Sequence, residues 1–268
     1  MVSARPSSHG FLGVSVLLFF ASTAVTIVWC ASMLAMGAMP MPGGWVMSMA
    51  WMRMPGETWS GAASSFLGMW IVMMVAMMLP SLVPMLLRYR QIVGGVCVRG
   101  EEIGEGRLGW LTATVAVAYF CVWTVFGMIV FPIGVAMATL TMSEPALARA
   151  VPIAVGVVVL MAGAIQFTGW KSRHLACCRE TPRRTMPADT ATAWRHGLRL
   201  GLHCSYCCAG LTATLLAIGV MDLRVMAVVG AAITAERLAP AGERVARIIG
   251  AVVVAAGLIM VMRAIGLG

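Results

Sequence analysis

The chain has 268 residues, 60% hydrophobic and 11% charged, with a formal net charge of +9 and a mean hydropathy of +0.92. That much apolar surface exceeds what one soluble core of this size hides from water, and disorder needs the opposite balance. An integral membrane protein remains, and its 24 Met and 8 Cys are a sulfur excess even for that class.

A bilayer core of about 30 Å needs roughly 20 apolar residues per helical span, and only helices or closed barrels satisfy the backbone in lipid. The apolar runs are continuous rather than alternating, which predicts an all-α fold: a polytopic helical membrane bundle. Spans are predicted at 11–36, 64–87, 108–137, 151–170, 201–221, 223–239 and 248–266. Residues 1–10 read as a cytoplasmic tail and 11–268 as one domain, with a Met-rich outer loop at 37–63 and a Cys/His-rich inner loop at 171–200. The first span is too long for a signal peptide and lacks a small-residue cleavage site, so it is expected to stay as a helix.

The sixth span is the short one. Its uncharged stretch is only 225–235, so Arg224 and Arg237 are expected to snorkel and Glu236 to require a partner. Seven spans with the N-terminus inside place fifteen basic residues in inner segments and four (Arg53, Arg149, Arg224 and Arg263) outside; removing the sixth span weakens the split to thirteen against six. The positive-inside rule therefore favours seven spans with a cytoplasmic N-terminus. It also accounts for the +9 charge without nucleic acid, since no basic patch interleaves with aromatics. Trp45, Trp51, Trp59, Trp110 and Trp170 read as interfacial anchors beside the lipid bilayer.

There is no Walker, Rossmann or HExxH motif, so these signatures give a redox or phosphate-driven enzyme no support. The sulfur is clustered instead: residues 33–85 hold 14 of the 24 methionines, and 174–208 hold five of the eight cysteines and three of the four histidines. The topology sets these clusters largely at opposite ends.

Met33, Met36, Met39, Met41, Met47, Met49, Met52 and Met54 run through an outer segment broken by Pro40, Pro42 and Pro55. A thioether is soft, uncharged and needs no deprotonation, which suits Cu(I), and a water-facing methionine has no packing role. In the second span Met69, Met73 and Met77 share one helix face, and Met74, Met78 and Met85 an adjoining one. Pro80 is expected to kink or unwind the helix near Met77. Met69, Met73, Met77 and Met78 thus form a candidate ion path; the alternative is methionine filling irregular gaps between helices.

At the inner end, His174-x-x-Cys177-Cys178 leaves the fourth span, and His203-Cys204-x-x-Cys207-Cys208 opens the fifth. Cys-x-x-Cys spacing lets two thiolates grip one ion. Cytoplasmic redox poise disfavours a structural disulfide there, and a helix N-terminus near Cys204 is expected to favour thiolate. His174, Cys177, Cys178, His203, Cys204, Cys207 and Cys208 are the candidate metal ligands, for two ions or for one passed between sets. Thioether and thiolate in one chain favour copper, as Cu(I), over zinc. Cys30, Cys97 and Cys121 read as small hydrophobes, and His9 and His196 as solvated.

The strings Met77-Met-Leu-Pro-Ser81, Lys171 to Arg179, Gly201-Leu-His-Cys-Ser-Tyr-Cys-Cys208, Gly219-Val-Met-Asp-Leu223 and Glu236-Arg-Leu-Ala-Pro240 resemble the bacterial DUF2182 family of metal-binding integral membrane proteins. The resemblance runs from the second span to the last and implies a multi-pass protein of the bacterial inner membrane with a sulfur-rich site. Against the family's usual pattern, His174 stands for a Cys, Cys177-Cys178 for a single Cys, Tyr206 for a Gly and Asp222 for an Asn.

Three functions fit these residues. The first is a copper-handling membrane protein that moves Cu(I) or delivers it to a copper-dependent protein or metallochaperone. The second is a membrane thiol-disulfide oxidoreductase using Cys204 and Cys207. The third is a structural or maturation subunit with a structural zinc site.

Overall fold

The computed structural model describes residues 6–35, 37, 39–53, 56–95, 97–98, 101–179 and 187–266. Met36, Met54 and Pro55 of the outer segment, and Arg5, Arg99, Arg183 and Arg184 of the inner basic residues, lie outside the described residues. The described chain is helical throughout, apart from two minimal hairpins and a 3-10 turn. The helices are α1 (Pro6–Ala35), α2 (Trp59–Gly94), α3 (Glu105–Ser143), α4 (Pro145–Ile165), α5 (Gly169–Arg179), α6 (Thr190–Ile218), α7 (Leu223–Leu238) and α8 (Gly242–Ala264). Six of them, α1, α2, α3, α4, α6 and α8, are long and apolar enough to cross a membrane. The predicted sixth segment is α7, whose 16 residues reach about 24 Å at 1.5 Å per residue.

Helix starts follow local chemistry that hydropathy does not see. Asp189 caps α6 by accepting from the Thr192 backbone N–H at 2.8 Å, so α6 begins eleven residues before the predicted 201. Arg195 and Arg199 had masked those three turns as loop. Cys204 therefore lies about four turns inside the helix, and the expected helix N-terminus beside it does not exist. Thr58 caps α2 through the Gly61 N–H. The expected unwinding at Pro80 is also absent: α2 runs unbroken through Pro80 and Pro84.

Small residues set the closest helix approaches, as they do where lipid removes the hydrophobic drive between helices. Gly156 and Gly163 of α4 meet Gly257 and Gly250 of α8. A Cβ on Gly163 would lie 2.8 Å from the Val254 nitrogen, and one on Gly257 2.8 Å from the Leu160 nitrogen. On α6, a Cβ on Gly201 would lie 2.9 Å from the Tyr119 carbonyl oxygen, so this glycine lets α6 settle on α3 beside Tyr119.

The outer segment is no free loop. Strands β1 (Met39–Met41) and β2 (Trp45–Met47) pair antiparallel, with Met39 opposite Met47. Gly43 and Gly44 turn the chain at φ 102° and 76°, values L side chains rarely adopt. Trp45 Nε1 donates to the Ala148 carbonyl at 2.8 Å, which docks the hairpin on the start of α4. A 3-10 turn (Met49–Trp51) follows, and Trp51 lies against Phe66 of α2. Met47 is consequently buried, and Met39, Met41, Met49 and Met52 are half-buried. The premise that these methionines face water is overturned by this folding back. A second hairpin, β3 (Cys97–Val98) with β4 (Glu101–Glu102), links α2 to α3.

Candidate metal centre

Positions 204, 207 and 208 fall on one face of α6 by helical spacing. All three thiols are buried, and their sulfurs lie within 4.8 Å of one another. Cys208 Sγ is 3.8 Å from Cys204 Sγ and 3.6 Å from Cys207 Sγ. The inner loop folds back onto them: Cys178 of α5 is fully buried, and its thiol donates to Cys207 Sγ at 3.6 Å. That hydrogen bond, with burial, holds the Cys178 thiol well above the usual thiol range. Four of the five candidate cysteines thus form one cluster, while Cys177 is only half-buried.

The two histidines form a separate pair. Their Nδ1 atoms are 3.3 Å apart, both rings are half-buried, and Trp170 and Tyr206 flank His174 at centroid distances of 4.7 and 5.2 Å. His203 is adjacent to Cys204 in sequence but points off another face of α6, so the seven predicted ligands divide into a buried thiol group and a more exposed imidazole group. His9 is exposed, whereas His196 stacks on Tyr89 at 5.6 Å rather than standing in solvent.

Sequence reasoning missed the groups that surround the sulfurs. Arg237 does not snorkel: it is 2% exposed, and its Nη1 donates to Ser81 Oγ at 2.8 Å and to Cys204 Sγ at 3.2 Å. The Tyr119 hydroxyl donates to the same sulfur at 2.9 Å. Glu236 does find its partner, Lys171, across a 2.6 Å ion pair with both side chains buried. Lys171 Nζ also donates to the Cys207 carbonyl at 2.6 Å. The signal lay in α7 itself: a Glu-Arg pair ending a segment too short to carry it in lipid needs an internal partner. Lys171 and Glu236 cancel in charge. Arg237 is left as a buried positive charge facing thiols, and a Cu(I) ion held by two thiolates would carry the single negative charge to offset it.

The second-span methionines lead toward this centre. Met69, Met73, Met77 and Met78 are all buried, as are Met74 and Met85. Gly230 of α7 lies beside Met77, so this thioether sits between helices. Ser81, which bonds Arg237, is one turn past Met77 and about 18 Å along α2 from Met69.

No curated protein and no solved structure matches the chain. A family profile does match, that of the PpoB2 copper chaperones, over residues 67–260. This stretch takes in Met69 to Met78, Lys171, every cysteine of the buried cluster, and Arg237. A copper role accords with the donor set, in which thiols and thioethers, the soft ligands that suit Cu(I), crowd one continuous region of the interior. By that match over most of its length, the chain belongs to the PpoB2 copper chaperone family.

Proposed function

We propose that this protein carries Cu(I) within a membrane and delivers it to a copper-dependent partner protein, with the buried thiols of Cys178, Cys204, Cys207 and Cys208 as its holding site. The observation that carries the reading is the convergence of these sulfurs, 3.6 to 3.8 Å apart, beside the charge of Arg237. Met69, Met73, Met77 and Met78 supply neutral thioether steps along α2, and thiolate at the end binds more tightly than thioether, which pulls the ion toward the cluster. The His174–His203 pair and Cys177, nearer the surface, form the exchange point with a soluble partner.

The same reading takes residues 11–268 as one multi-pass domain of the bacterial inner membrane, with seven crossings and the N-terminus in the cytoplasm, in keeping with the DUF2182-like motifs. Two features support seven. The basic residues divide most unequally with that count, and α7 traverses the bundle. It starts at Asp222 and Leu223, in the wall of a methionine-lined cavity, and ends at Glu236 and Arg237 on the thiol cluster. Glu236 and Arg237 at its C-terminal end are paired inside the protein, so a helix of about 24 Å crosses without exposing that end to lipid, while Asp222 and Arg224 at its start stand exposed.

Metal analysis of the purified protein tests the holding site. The wild type is expected to retain copper, and a Cys204→Ala, Cys207→Ala, Cys208→Ala variant to lose the share held at the thiols. Equal and negligible copper in both would overturn the reading.

A further inference from the structure

Two cavities lie at the end of the bundle away from the thiol cluster, with volumes of about 110 and 510 Å³. Their walls share Met33 from the end of α1, Met49 from the 3-10 turn, and Met221 from the α6–α7 link. Met52 and Met69 complete the thioether lining of the smaller one, and Met47 joins the larger. Three segments far apart in sequence thus each present a thioether at the junction of the same two spaces. Behind Met221, the buried Cys30 thiol donates to its sulfur at 4.0 Å, so the residue set aside as a small hydrophobe positions this thioether. Acidic residues also line the spaces, Glu57 in the smaller and, in the larger, Asp222, whose carboxylate accepts from the Arg224 and Val225 N–H groups at the start of α7. Packing alone asks only for hydrophobic volume, and isosteric leucine would provide it. A methionine-walled space with acidic residues at its rim is suited to a soft monovalent cation instead.

We infer that Met33, Met49 and Met221 form a second, separate Cu(I) site, a neutral thioether capture site that takes the ion from outside the protein and passes it to Met69. This rests on the proposed copper reading and gives the α2 path its starting point. Met69 lies in the cavity wall, and Met73 and Met77 follow at intervals of about 6 Å along the helix. Being neutral, the site binds without releasing a proton, and it leaves the ion its charge for transfer to the thiolates.

Silver(I), which mimics Cu(I) without redox chemistry, is the probe. The protein in detergent is loaded with Ag(I), desalted and assayed for bound silver per chain. The wild type is expected to hold two ions, a Met33→Leu, Met49→Leu, Met221→Leu variant one, and the Cys204→Ala, Cys207→Ala, Cys208→Ala variant one. A control with Met128→Leu, Met137→Leu and Met142→Leu, all more than 45% exposed on α3, is expected to keep two. X-ray absorption of the triple-cysteine variant loaded with Cu(I) should show a sulfur-only shell. If the Met33, Met49, Met221 variant still holds as many ions as the wild type, the capture site is overturned and the thiol site stands. If only the cysteine variant loses silver, and loses all of it, the capture site is overturned in the same way. Loss confined to the methionine variant would sustain the capture site and overturn the thiol holding site.

Discussion

At the thiol end of the molecule, the ligands come from two helices, and five buried polar or charged side chains with defined partners stand around them: Tyr119, Ser81, Arg237, Lys171 and Glu236. At the thioether end, the walls come from a helix terminus, a 3-10 turn, an interhelical link and the start of α2, and the neighbours are mostly aromatic or aliphatic, with Glu57, Asp222 and Arg224 among them. The first arrangement holds its geometry through directional bonds in a low-dielectric interior, where each broken bond is costly. The second holds together mostly by contact, and methionine adapts readily to such surroundings. A carrier needs both: one end that retains the ion, and another whose soft, neutral ligands release it.

The largest effect expected from this contrast concerns the Lys171–Glu236 pair. Removing one member of a buried pair strands the other charge, which costs about 3–5 kcal/mol, whereas replacing both by apolar residues of similar volume is often neutral. Lys171→Met is therefore expected to lower thermal stability in detergent strongly and to lose copper with it, because Lys171 also braces the Cys207 carbonyl. The double change Lys171→Met, Glu236→Leu is expected to recover most of the stability and little of the copper. If the single and double variants melt alike, the thiol end does not depend on paired charge as described.

How much of this was legible in the sequence differs between the ends in the same way. The helices were readable because apolar runs of membrane length have few alternatives, and residues 223–239 were placed within a residue of α7. Cys-x-x-Cys spacing brought Cys204, Cys207 and Cys208 together because helical periodicity alone places them on one face. Arg237 was not legible as a neighbour of Cys204, since a charge near a helix end is most simply read as snorkelling, and only the packing of α7 on α2 and α6 turns it inward. Nor was the participation of Met221 or Cys30: Cys30 and Met221 meet across 191 positions, and no local pattern records such a contact. The start of α6 was missed because its cap, Asp189, precedes an arginine-bearing stretch that hydropathy assigns to a loop.

A smaller effect separates packing from conduction on α2. Met73→Leu with Met77→Leu preserves volume, so it is expected to cost under about 1.5 kcal/mol in stability. Copper retained at the thiols at equilibrium should be unchanged, and the rate at which copper added from the thioether end reaches them should fall several-fold. Stopped-flow loading with a Cu(I)-chelator indicator reads that rate. An unchanged rate would make these buried thioethers filler and leave the thiol end without a route from the cavities.

The smallest effect is a pH dependence that the capped starts of α6 and α2 should not share. The Thr192 backbone N–H donates to Asp189 and holds its carboxyl below the usual carboxylate range. Because the folded value is the lower one, the cap's contribution is fully present above the ordinary aspartate range near pH ~4, and it is lost as pH falls through the lowered value. Thr58, which caps α2 beside the thioether end, does not titrate, so its hydroxyl keeps the Gly61 N–H bond at any such pH. Amide hydrogen exchange in the first turn of each helix should therefore diverge between pH 6 and pH 3, once the intrinsic pH dependence of exchange is divided out: α6 loosens and α2 does not. Asp189→Asn retains an acceptor but no titratable charge, and should abolish the divergence while leaving the α6 cap formed. Equal loosening of both helices in the wild type would mean that acid acts on the bundle as a whole, and that the start of α6 carries no separate sensitivity.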